Sequence, residues 1–171
     1  MSRDTTTPAG PPVGLGDIAL AAARAGSEAI ARTVAAGGLR TDTKSTRQDL
    51  GTTADRASEA AIVDLLSRAR PDDAILGEES GEHPGRSQVR WIVDPLDGTV
   101  NFIYGRAGWG VSVGAEVAGV ATVGAIVCPA DGRWAVADPD GYIVDCLVAA
   151  GSGGTLAAPL RGLGDQPVPL R

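Results

Sequence analysis

The chain has 171 residues, room for one domain with a loose tail, and its 43% hydrophobic content includes no apolar run of membrane-spanning length. A formal net charge of −6 argues against non-specific nucleic-acid binding, which wants a basic surface, but admits a small phosphorylated ligand held through cations. The lone histidine, His83, and two distant cysteines, Cys128 and Cys146, exclude a two-histidine mechanism and argue against a thiolate site, leaving oxygen as the main metal ligand.

Residues 1–16 are rich in Thr, Pro and Gly without periodicity, which predicts a disordered N-terminal tail. They contain neither a signal-peptide core nor an Arg-rich amphipathic pattern, so the expected location is cytoplasmic. A first helix is expected from Asp17 to Ala36, capped by Asp17 and ended by Gly37-Gly38, burying alanines with Ile18, Ile30 and Val34. A polar stretch over 39–55 leads to a second helix, Ala54 to Arg70, with Ile62, Leu65, Leu66 and Ala69 on one face. The apolar period then changes, and strands are expected at 74–77, 89–93, 109–117, 120–128 and 133–137, with hairpin turns at Ala118-Gly119 and Asp131-Gly132. The order predicts an α+β fold, two N-terminal helices packed on a largely antiparallel sheet over residues 17–145. Residues 146–171 keep no period and are expected to form an irregular tail.

The chemistry concentrates in Gly77-Glu78-Glu79-Ser80 and in Trp91-Ile92-Val93-Asp94-Pro95-Leu96-Asp97-Gly98-Thr99-Val100-Asn101-Phe102. Asp94 and Asp97 end a hydrophobic strand, Pro95 is expected to stiffen a turn between them, and the Leu96 carbonyl adds an oxygen. Hard divalent cations such as Mg2+ select this mixture of carboxylate and carbonyl oxygens. Glu78 and Glu79 end another strand and can face them. A helical turn opening at Gly98-Thr99 would aim free N–H groups at an anion. Taken alone, Asp-Pro-x-Asp-Gly is most often a surface turn, and so is Asp138-Pro139-Asp140-Gly141, which lacks the later Glu of a calcium loop. Gly105-Arg106-Ala107-Gly108 lacks the Lys-Ser/Thr of a phosphate loop.

Together, the Gly-Glu-Glu and Asp-Pro-Leu-Asp-Gly-Thr segments resemble the signature of the inositol monophosphatase family. Lys44-Ser45, the Asp49 to Asp55 segment and Gly110 to Gly114 extend the likeness. The resemblance implies Mg2+-dependent hydrolysis of a small phosphate monoester by activated water, with inositol monophosphate as the leading substrate. Histidinol phosphate, fructose bisphosphate and adenosine bisphosphate are the related alternatives. Carried over by position, Glu78, Asp94, Asp97 and the Leu96 carbonyl would hold metal, with Asp94 bridging two ions. Asp55 and Thr99 would activate the water, and the Gly98 and Thr99 amides would hold the phosphate. Glu79 and Lys44 would be auxiliary, the substrate a phosphorylated polyol or sugar, and the assembly a homodimer. The likeness ends near Asp145. Family members run longer and carry a Trp-Asp-x-Ala-Ala-Gly-like motif that is absent here. A truncated or frame-shifted product is therefore expected, a catalytically impaired remnant being the alternative to an active phosphatase.

Overall fold

A computed structural model describes residues 14–37, 44–139 and 141–146. Nearly all of both expected tails thus lies outside the described residues. The α+β architecture is as expected. Helix α1, Leu15–Gly37, and helix α2, Lys44–Ala69, pack against each other and on one face of a sheet. Strands β1 (Ala74–Gly77), β2 (Gly81–His83), β3 (Val89–Asp97), β4 (Gly110–Val117), β5 (Val120–Cys128), β6 (Arg133–Asp138) and β7 (Gly141–Cys146) lie in the order β2-β1-β3-β4-β5-β6-β7. Only β1 and β3 run parallel; the other neighbours are antiparallel. A short helix α3, Thr99–Ile103, follows β3. No helix among the described residues is long and apolar enough to cross a membrane.

The buried stripe of α1 includes Ile18, Ala19, Ala22, Ala23, Gly26, Ala29 and Ile30, spaced three and four apart. Small residues let the helices approach closely. At Gly26, an added Cβ would meet Ser58 Oγ at 2.6 Å and Ile62 Cδ1 at 2.8 Å. Asp17 lies within the first turn, where its charge favours the helix N-terminus, rather than capping it.

Helix α2 starts ten residues earlier than expected. The expected polar stretch over 39–55 is therefore helical from Lys44 onward, despite Thr46, Thr52, Thr53 and Gly51. Gly51 faces α3, and a Cβ there would come within 3.0 Å of Ile103. The buried face of α2 then joins α1 to the inward strand residues Ile75, Trp91, Val93, Val111, Val113, Ala125 and Val127.

Two hairpins follow the predicted turn chemistry. Ala118 (φ 52°) and Gly119 (φ 80°) both occupy the left-handed region, as a two-residue turn requires, and the Ala118 N–H donates to Gln88 O at 2.9 Å. Gly141 (φ 141°) helps close the turn into β7, opposite Asp138.

Candidate metal and catalytic site

The expected turn at Asp94-Pro95-Leu96-Asp97 proves to be a bulged continuation of β3. Asp94 pairs with Ser112 and Asp97 with Gly110, so three steps on β3 span two on β4. One extra residue reverses the alternation. Asp94 and Asp97, which a regular strand would turn to opposite faces, oppose residues of the same face of β4. Pro95, which has no N–H to give a ladder, sits in the irregularity. Its carbonyl accepts a 2.8 Å bond from the buried Ser58 Oγ on α2. The Leu96 N–H donates to Asp94 Oδ1 at 3.2 Å.

Immediately after β3 the chain turns through Gly98 at φ 79°, ψ 33°. A side chain is excluded there twice over, since a Cβ would also lie 2.6 Å from Gly108 O. The turn delivers Thr99 as the first residue of α3, and its Oγ1 donates to Leu96 O at 2.9 Å. That carbonyl keeps a second lone pair for a cation. The amides at the start of α3 have no intrahelical acceptor, as at every helix N-terminus.

On the other side, Glu78 and Glu79 follow β1 in an exposed turn. Because β1 runs parallel to β3, with Gly77 opposite Val93, Glu78 emerges beside Asp94, close enough for the Asp94 charge to raise its pKa. Asp55 comes down from α2. It is only 8% exposed, and its Oδ1 is buried with no hydrogen-bond partner. Burial first, and then the charges of Glu79, Glu78, Asp94 and Glu59, push its carboxyl up to about 6. Glu78 is raised by desolvation and by Asp94, and Asp94 by desolvation and Asp97. Arg56 approaches Glu79 at 3.9 Å, a loose pair with its arginine 72% exposed.

Asp55, Glu78, Asp94 and Asp97 thus interact electrostatically around the ends of β1 and β3. Thr99 joins this region through Gly51 of α2, whose added Cβ would lie 3.6 Å from the Thr99 methyl. The side chain of Lys44 lies outside the described residues. Among the described residues, no three His, Cys, Asp or Glu side chains form a group able to hold a metal ion as they stand. The donor set nonetheless fits a hard divalent cation. It is all oxygen, its carboxyl groups raise one another's pKa, and Asp55 Oδ1 is orphaned.

Two contributors were not singled out from the sequence. Ser58 and Glu59 are buried, and the Glu59 carboxylate accepts the N–H groups of Glu79 (2.8 Å) and Ser80 (2.7 Å). Their signal was available. They precede Ile62 by four and three residues, which puts a polar pair on the apolar stripe of α2.

The family model described as the inositol monophosphatase family matches residues 15–149. The inositol-1-monophosphatase of Mycobacterium leprae is 43% identical over 104 residues, 58% of this chain and 36% of that protein. The histidinol-phosphatase of Chlorobaculum parvum is 45% identical over 82 residues, 48% of this chain and 32% of the relative. Among solved structures, the extragenic suppressor protein suhB of Bartonella henselae superposes with a TM-score of 0.64 at 32% identity. That match covers 80% of this chain and 53% of the neighbour. The chain therefore spans about a third of the length of the curated relatives it matches and about half of the structural neighbour.

Proposed function

We propose that this chain, which belongs to the inositol monophosphatase family, carries the metal-binding and water-activating part of a phosphomonoesterase for a small phosphorylated polyol or sugar. The observation that carries this reading is the β3 bulge, which gives Asp94 and Asp97 one orientation beside Glu78 and below Asp55. Glu78, Asp94, Asp97 and the Leu96 carbonyl would hold Mg2+, which when bound lowers the pKa of water and offsets charge on the phosphate.

The chain's own groups supply the rest. Asp55, with its pKa raised to about 6, accepts a proton from the attacking water while remaining largely ionised at neutral pH. Thr99, fixed by its bond to Leu96 O, presents its hydroxyl oxygen to orient that water. The first amides of α3 bind phosphate oxygens, and Gly98 leaves the approach open. The water oxygen bonds to phosphorus as the ester P–O bond breaks. The departing alcohol oxygen takes a proton from solvent.

Inositol monophosphate is the substrate we favour, with histidinol phosphate next, since relatives bearing both names match this segment. Phosphate release should be measured for both substrates against Mg2+ concentration, for the wild type and Asp94→Asn. Release from inositol phosphate, reduced at least about a hundredfold in the variant, is expected. No release from any substrate at any Mg2+ concentration would overturn catalysis by this chain. The second reading, a remnant that binds cations weakly without turnover, is favoured by the partial span of its relatives. Calorimetric Mg2+ binding without phosphate release would establish it.

A further inference from the structure

We infer that Glu59 is a positioning residue that, with Ser58, sets the distance between the two acidic segments of the site. The inference rests on the proposed cation site. Glu59 lies on the buried face of α2 and is only 3% exposed. A carboxylate in such a place is tolerated only when its oxygens are bonded. Both are: Oε2 accepts from the Glu79 N–H at 2.8 Å and Oε1 from the Ser80 N–H at 2.7 Å. Hydrogen bonds to an ionised acceptor are about twice as strong as neutral ones, and two to adjacent amides fix the orientation of both peptide planes. The Glu78–Glu79 peptide plane is one of them, so the backbone carrying Glu78 is held from within the protein.

The strand is pressed onto the same carboxylate. A Cβ at Gly77 would lie 2.8 Å from the Glu59 carboxyl carbon and Oε1. The preceding residue, Ser58, holds the other segment through its 2.8 Å bond to Pro95 O in the β3 bulge. Consecutive residues of one rigid helix therefore grip the Glu78 turn and the Asp94–Asp97 bulge. The separation of Glu78 from Asp94 is set by α2, not by the exposed turn itself. Supports of this kind commonly change metal affinity by roughly 10–100-fold when removed.

Glu59→Gln keeps the side-chain shape but presents an NH2 group to one of two N–H donors. In the cation-free full chain, NMR should show the Glu79 and Ser80 amide protons moving upfield, with distant amides unchanged. Calorimetry should show Mg2+ binding roughly 10–100-fold weaker. Gly77→Ala, which displaces the carboxylate without altering charge, should produce both changes. Ile62→Val serves as the control for general loss of stability and should leave Mg2+ affinity within about twofold. Unmoved Glu79 and Ser80 amides in a folded Glu59→Gln would overturn the inference, as would an affinity loss matched by Ile62→Val. Weakened binding with unmoved amides would instead make Glu59 a direct ligand. If the wild type binds no Mg2+, the proposed function fails, while the amide shifts still decide whether Glu59 holds the turn.

Discussion

Burial and four neighbouring carboxylates bring the Asp55 carboxyl from its ordinary 3.8 up to about 6. The folded chain therefore holds this proton more tightly than the unfolded chain. Its contribution to stability is complete below about 3.8 and is lost as the pH rises through about 6. At pH 8 without a cation, Asp55 is a buried charge that opposes folding. Asp55→Asn should raise metal-free stability by about 1–2 kcal/mol at pH 8 and by clearly less at pH 5, while abolishing turnover. Urea denaturation at the two pH values checks this, and an equal effect at both would contradict it. Asp55 was legible in the sequence only through its place in the family pattern. Its neighbours Ser58 and Glu59 were marked only by their place on the apolar stripe of α2, four and three residues before Ile62, a signal easily passed over because a glutamate within a helix is ordinarily a solvated residue.

At the scale of elements, Asp73 shows how α2, β1 and β3 are tied together. Its side chain is 2% exposed and receives bonds from Arg70 Nε (2.8 Å), Ser87 Oγ (2.6 Å) and Trp91 Nε1 (3.0 Å). Burial alone would raise its pKa, but these donors outweigh that and hold it below the usual carboxylate range. The stabilisation is present above the ordinary pKa of 3.8 and is lost as the pH falls through the depressed value. Asp73→Ala strands the Trp91 indole N–H and should cost about 2–4 kcal/mol, read as a lowered denaturation midpoint at unchanged m-value. The strands most legible from sequence were those with a clean change of apolar period and turn glycines: β1, β4, β5 and β6. Two short outer strands escaped notice. β2 spans Gly81–His83, and β7 lies in the segment where the likeness to the family was fading. The bulge was hidden for a different reason. Asp-Pro-Leu-Asp-Gly has the composition of a turn, and only the pairing of β3 with β4 makes it a strand.

For the molecule as a whole, the proposed site links cation binding to folding, since a ligand that binds only the folded state stabilises it by mass action. At a Mg2+ concentration a hundredfold above its Kd, the gain should be about 2.7 kcal/mol, reversed by a chelator and abolished in Asp94→Asn. Thermal denaturation with and without Mg2+ measures it. A Tm indifferent to Mg2+ would argue against a cation site. The strand order β2-β1-β3-β4-β5-β6-β7 has its own consequence during synthesis. As the chain leaves the ribosome, β2 and β3 both find β1 already made, and every later strand finds its predecessor. Among the described strands, none after β1 has to wait for one not yet translated. The sheet can grow in the order in which it is synthesised, presenting one fresh edge at a time, and α2 and the ends of β1 and β3 are in place before its last strand is made.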